Sequence, residues 1–222
     1  MHSLYTRSMS SEKKYSVQRK PQREIFDRAK IFELLDSEFV AHVGFTDLDN
    51  GKNFVIPLGF VRDGERILLH GSTGSRLFMQ LARGIEICVT VTRINALVSA
   101  RTPVHCSMNY DSVMIFGNAK VLEDEEKTHA MKQLSNKLIP GVWEYTRLPN
   151  SKDYAGTLIV EVPLDKVTAK SRSGGPVDED EDMDLEIWAG IIPIERKLGS
   201  PITSPDSRVS KIPSHIMNRN WS

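Results

Sequence analysis

Short runs of alternating apolar and polar residues fill most of this chain. "EFVAHVGFT" (38–46), "KNFVIPLGF" (52–60) and "RILLH" (66–70) each read as a strand with one buried face. "DLDNG" and "RDGE" between them carry turn chemistry, Asn50-Gly51 supplying positive φ. Together they predict a three-stranded antiparallel meander. Ahead of it, Asp27 caps a helix running to about Leu35, with Ile31, Phe32, Leu34 and Leu35 on one face. Beyond it, "HGSTGSRLFMQLARG" (70–84) reads as a strand end, a Gly- and Ser-rich turn and a short amphipathic helix. "IEICVTVT" and "ALVSAR" predict two further strands and "SVMIFGNAKVLE" a sixth. "DEEKTHAMKQLSNKLIPG" is a helix ended by Pro140-Gly141, "GTLIVEVPLDKVTAK" returns to strand, and "EIWAGIIPI" is a last short one.

Six to seven short antiparallel strands at hairpin spacing, with few helices, predict a mainly β fold: a small closed or split β-barrel with flanking helices. No alternating βαβ units occur, which excludes a doubly wound sheet. The expected organisation is a disordered tail over 1–24, one domain over 25–205 and an irregular tail over 206–222.

Composition narrows the function. Lys plus Arg and Asp plus Glu number 29 each among 222 residues, so the broad basic field of a nucleic-acid binder is absent. No apolar run is long enough to span a bilayer and no signal-peptide core stands at the start, so neither a membrane nor nucleic acid is an expected partner. Two cysteines, Cys88 and Cys106, form no disulfide framework, which points to a reducing, cytoplasmic setting. His105 beside Cys106 is not a metal site without further ligands, and the acidic run Asp178 to Asp182 lacks calcium-loop spacing. No Gly-x-Ser-x-Gly elbow supports hydrolase chemistry.

The stretch opening at His70 is neither a P-loop nor a Rossmann fingerprint. Arg76 falls in the first turn of its helix, where a cation opposes the dipole, and no carboxylate lies between His70 and Arg83. Two readings stay open: a solvent-facing arginine, or an anion as its missing partner. In the second, Ser72, Thr73 and Ser75 add hydroxyl donors, and Gly71 and Gly74 admit a close backbone. Pro57, without an N–H, marks an edge or bulge of the second strand. Asn109 and Tyr110 are expected in a loop entering the sixth strand.

"EFVAHVGF", "FVIPLGF", "LLHGSTGSRL", "HCSMNYDSV", "KSRSGGPVDEDED" and "IWAGIIP", in that order, resemble the pyridoxamine-5′-phosphate-oxidase-like FMN-binding split barrels, in the branch that includes the nitroimidazole-resistance proteins. The resemblance runs from Asp27 to Pro205. It implies an FMN-binding split-barrel homodimer with two FMN molecules at the interface, acting as a small flavin oxidoreductase on a small-molecule substrate. Val55, Ile56 and Pro57 would face the isoalloxazine edge, and His70, Gly71 and Ser72 would line the cofactor. Ser75 and Arg76 would hold its phosphate. Asn109, Tyr110 and Ser112 would come from the loop before the sixth strand, and Trp188, with Lys170 and Arg172, would close the site from the other subunit. Relatives often carry His-His before "SMNY" and Arg after "NY"; here stand Cys106 and Asp111, and the latter implies a reversed charge near the ligand. The resemblance gives no Arg-x-His segment of the kind true pyridoxamine-phosphate oxidases carry near "SKIPSHIMNRNWS", so efficient oxidation of that substrate is not expected.

No residue reads as a general acid or base, so no catalytic residue is assigned. Two alternatives remain: a non-enzymatic flavin-binding or sensing protein, and a barrel holding haem or deazaflavin. For haem, His70 and His105 are the plausible axial ligands.

Overall fold

The computed structural model describes residues 15–217. Asp27 caps α1 (Arg28–Ser37) by accepting a hydrogen bond from the Ala29 N–H at 2.9 Å. Strands β1 (Val40–Thr46), β2 (Asn53–Asp63) and β3 (Arg66–Ser72) form the expected meander. Then follow α2 (Arg76–Leu81), β4 (Glu86–Ser99), β5 (Ser107–Asn118) and β6 (Lys120–Val121). A helical stretch contains α3 (Asp124–Leu138), α4 (Val142–Tyr145) and α5 (Ser151–Gly156). The hairpin β7 (Thr157–Pro163) and β8 (Val167–Arg172), then β9 (Gly190–Pro193) and α6 (Ser214–Met217), complete the described chain.

The nine strands exceed the six or seven expected and form one antiparallel sheet in the order β6-β7-β3-β2-β1-β4-β5-β8, with β9 added to β4. The chain passes from β5 across Ala119 directly into β6, which pairs with β7. One bent segment therefore supplies both the neighbour of β4 and the neighbour of β7, and this curls the sheet into a barrel. The two strands expected over 85–101 are one: β4 runs through with a register shift between Ile94 and Ala96. A bulge re-aims a strand without ending it.

Strand alternation fills the interior. Val43, Val89 and Ile115 are aligned across β1, β4 and β5 and fully buried, and Ile67, Leu69, Leu77, Phe78 and Val160 join the same core. A smaller cluster, Val61, Leu68, Leu122, Ala130, Leu134 and Ile159, seats α3 on the outside of β2, β3 and β7.

Residues 15–24 correct the expected disordered tail. The Tyr15 ring lies 4.7 Å from that of Phe116, the Lys170 ammonium donates to the Arg19 carbonyl at 3.1 Å, and the Ile25 N–H donates to the Ala169 carbonyl at 2.9 Å. Residues 1–14 lie outside the described residues, as do 218–222. The irregular C-terminal stretch is anchored too: Arg196 forms a two-pronged pair with buried Glu38, and the His215 ring packs tilted at 52° against Tyr145 with centroids 4.8 Å apart. Among the described residues no helix is long and apolar enough to cross a membrane.

Candidate functional site

The barrel is split between β2 and β3. These strands pair only where Phe60–Asp63 meets Arg66–Leu69. Beyond that, Asn53–Gly59 pairs with β1 alone and His70–Ser72 with β7 alone, so two strand edges diverge and face one another unpaired. Pro57 stands on this open edge, as its missing N–H requires. The flanks of the split hold Val55, Ile56, Pro57, His70, Gly71 and Ser72, with Ser75 and Arg76 following at the start of α2.

Their side chains divide. Val55, 68% exposed, shares the outer face with Gly44, and Pro57 shares it with His42. Ile56 is aligned with buried Val43 and its side chain packs on the core, so on the open edge Ile56 presents its backbone. Gly71 is required by packing: a Cβ there would lie 2.2 Å from the Phe78 ring. His70 reaches solvent, yet burial by its surroundings holds the imidazole below its ordinary pKa, favouring the neutral ring.

Arg76 has a carboxylate partner after all, supplied by the β1–β2 turn. Its Nε lies 3.8 Å from Asp47 Oδ2, and its guanidinium sits 5.1 Å from the Phe54 ring centroid. The ion pair is too long for a hydrogen bond, and the arginine side chain stays 58% exposed. Ser75, the cap residue of α2, makes no side-chain bond into its helix. A cation, a free hydroxyl and an open backbone edge therefore meet at one end of the split.

The remaining residues gather elsewhere. Asn109, Tyr110 and Ser112 lie within β5, not in a loop before it. The polar run that resembles a loop is held by distant partners: buried Asn109 accepts from the Arg172 guanidinium and donates to the Gly174 carbonyl at 3.1 Å, and Arg172 donates to the Gly175 carbonyl at 3.3 Å. Ser112 is aligned with Lys170 across β8. Asp111 alternates with Tyr110 and Ser112, and it is held by Asn95 at 2.7 Å, Ser171 at 2.6 Å and Arg93 at 3.2 Å. Burial opposes its charge, but bonds from Ser171, Asn95 and Arg93 outweigh it and keep the carboxyl below its ordinary pKa. The reversed charge expected at the ligand is thus neutralised within the barrel. Trp188, 63% exposed, lies just before β9, its indole 2.9 Å from where a Gly190 Cβ would stand.

Within one chain these two groups do not meet. β1 and β4 separate β2 from β5, a distance of about 14 Å along the sheet. Between them the outer face carries Val40, Ile94 and Met114, all exposed.

A barrel opened between two strands, with a cation beside the opening, is a split barrel. A family model described as pyridoxamine 5′-phosphate oxidase matches residues 27–171, and the chain belongs to that family. It is 32% identical to the flavocytochrome Anf3 from Azotobacter vinelandii, over 93% of this chain and 96% of that one, with a TM-score of 0.86. A FAD and heme binding protein from Mycobacterium smegmatis is 31% identical over 88% of this chain and 96% of its own, with a TM-score of 0.84. A putative 5-nitroimidazole antibiotic resistance protein from Bacteroides thetaiotaomicron is 27% identical over 67% of this chain and 86% of its own, with a TM-score of 0.52. None of the curated proteins matches the sequence.

Local pattern does not single out Asp47, Phe54 or Gln80, which the fold brings to Arg76. Nor does it single out His215, whose Nε2 is buried without a hydrogen-bond partner.

Proposed function

We propose that this chain is a flavin-dependent redox protein that works as a homodimer. The flavin ring lies in the split between β2 and β3, and its first phosphate lies at Arg76 and Ser75. The FMN unit fits there alone or as part of a flavin dinucleotide. The observation that carries this reading is the paired opening: unpaired strand edges at Asn53–Gly59 and His70–Ser72, with a largely exposed Arg76 at their end.

The fit is chemical as well as spatial. A flavin ring has a polar edge of donors and acceptors, and an open β-edge offers backbone groups that satisfy them. Gly71, backed by Phe78, keeps the wall of the split flat. The guanidinium suits a phosphate because its hydrogen bonds are charge-assisted. Bound there, a flavin supplies hydride or single-electron transfer; the protein binds it, orients it and sets its surroundings. His70, whose burial favours the neutral ring, adds an imidazole on the β3 flank of the split. Tyr110, Ser112, Lys170 and Trp188 complete the site from a second copy, and the buried Asn109–Arg172 pair holds β5 and β8 behind them.

A titration of the purified chain with FMN, FAD and riboflavin, followed by flavin fluorescence, tests this reading. Saturable binding at micromolar concentration is expected. Absence of binding by all three overturns it.

Haem as a second cofactor is favoured by two relatives, the flavocytochrome and the FAD and heme binding protein, which match about nine-tenths of this chain. Of the two ligands expected from sequence His70 is the more exposed; His105 lies 3.8 and 3.7 Å from Asp178 and Glu179, and its Nδ1 is buried without a hydrogen-bond partner. His215, with its unpartnered nitrogen, is a further candidate. A Soret band in the purified protein, lost in one of His70→Ala, His105→Ala or His215→Ala with flavin binding retained, identifies the ligand. No Soret band after haem addition removes this second cofactor.

A further inference from the structure

We propose that Asp47 sets which flavin the split prefers: by neutralising Arg76 it selects a flavin dinucleotide, whose linked phosphates carry one charge each, over FMN, whose terminal phosphate carries two. This inference rests on the placement of the flavin phosphate at Arg76.

The Asp47 carboxylate is fixed in place. Its side chain is 3% exposed, and it accepts from the Asp49 N–H at 2.8 Å, the Asn50 amide at 3.2 Å and the Gln80 amide at 3.2 Å. Gln80 is itself buried; its amide also reaches Asp49 Oδ2 at 2.8 Å, and its carbonyl oxygen accepts from the Leu48 N–H at 3.3 Å. The β1–β2 turn is therefore bolted to α2, and the carboxylate cannot swing away from Arg76, 3.8 Å distant. On its other side the guanidinium is backed by Phe54.

The two ion pairs at this end of the split cancel their own charge, and exposed Lys52 adds one cation on the turn. Asp47 faces Arg76, and Asp49 is paired with Arg83 at 2.7 Å. Lys52 belongs to the same turn and is exposed, and His70, on the facing strand, is held toward its neutral form. A phosphomonoester with its second pKa near 6 carries close to two charges at neutral pH. It meets an arginine whose charge is already offset, with a buried carboxylate behind it. A phosphodiester loses less from that carboxylate, since each phosphate carries one charge.

Exposed apolar side chains also stand on α2 and on the β1–β2 turn near Arg76. Met79 lies one turn along α2 from Arg76 and is exposed, as is Leu48, held onto the same helix through Gln80. Each is an exposed apolar side chain of the kind an adenine ring, which FMN lacks, can cover.

The test is a set of binding titrations on the full chain freed of flavin, using FMN, FAD and riboflavin, with native protein and Asp47→Asn. At about pH 7.5, where the FMN phosphate is dianionic, native protein is expected to bind FAD about tenfold more tightly than FMN. Asp47→Asn is expected to tighten FMN several-fold more than FAD and to leave riboflavin unchanged. Asparagine keeps an oxygen to accept from the Asp49 N–H, and thermal unfolding checks that the turn survives. A second arm needs no variant: lowering the pH to about 5.5 removes charge from FMN but not from FAD, so the FAD-to-FMN affinity ratio of the native protein should narrow. Equal or tighter FMN binding by native protein, a ratio unmoved by Asp47→Asn, or a ratio unmoved by pH overturns the proposal. Failure of the underlying placement looks different: Arg76→Ala would then weaken riboflavin as much as FMN.

Discussion

At the scale of single residues, Arg76 and Gly71 test two parts of the β3–α2 flank of the split. Arg76 makes no hydrogen bond to Asp47, so its donors stay free for a phosphate. Arg76→Ala is expected to weaken FMN about 10- to 150-fold, the worth of a charge-assisted hydrogen bond, while riboflavin binding holds. Isothermal titration with both ligands reads the difference; equal weakening would remove the phosphate from Arg76. Gly71 answers to packing alone. A methyl group there meets the Phe78 ring, and Phe78 is fully buried with Leu77 and Leu81, so it has little room to yield. Gly71→Ala is expected to cost about 1–3 kcal/mol of stability, the range for overpacking a core. Urea unfolding measures it, and an unchanged midpoint would mean that Phe78 moves aside.

Elements were legible where local pattern and long-range pairing agree. The β1–β2–β3 meander, the Asp27 cap and α3 follow from periodicity and turn residues, and the fold has them at those places. The same rules split β4 in two, because Arg93-Ile94-Asn95 interrupts the alternation; Asp111 partners Arg93 and Asn95 from the next strand, so the interruption stays inside the sheet. They also put Asn109 in a loop, because its partners Arg172 and Gly174 come from the end of β8 and just past it, far along the chain. The site divides in the same way. The Arg76 anion reading was visible in sequence, whereas Asp47, its partner from another turn, was not. Cohesion between elements is concentrated at Arg66 on β3, which binds Asp63 at the end of β2 at 2.8 Å, Glu126 on α3 at 2.8 Å and Glu161 on β7 at 2.6 Å. Burial raises the Asp63 pKa, but bonds from Arg66 and His129 outweigh it, so the folded carboxyl sits below its ordinary value. A folded pKa below the unfolded one gives stability that is present above about pH 4 and lost as pH falls through the folded value. Arg66→Met is expected to cost about 1–3 kcal/mol at neutral pH, and the gap from native protein should shrink on acidification below about pH 4. A gap that is constant with pH would place the stabilisation in packing of the arginine stem.

At the scale of the whole molecule, the proposed site joins two groups of residues that one chain keeps apart, and a second copy would bring them together. The split carries Arg76 and His70; the β5–β8 side carries Tyr110, Ser112 and Lys170; and the outer face between them exposes Val40, Ile94 and Met114. A two-fold axis through that face would lay the split of each copy against the β5–β8 side and Trp188 of the other, making two equal sites with each chain contributing to both. Sedimentation of the native chain at low concentration should therefore give a dimer. Mixing gives the sharper result. Arg76→Ala damages one half of a site and Trp188→Ala the other, so each variant dimer binds FMN weakly. When the two are unfolded together and refolded, about half of the dimers are mixed, and each mixed dimer regains one intact site of its two, which returns about a quarter of the native tight-binding capacity. If every site belonged to one chain, each mixed dimer would hold two damaged sites and tight binding would stay absent. A stable monomer that binds flavin would remove the shared site and the role given to Trp188 with it.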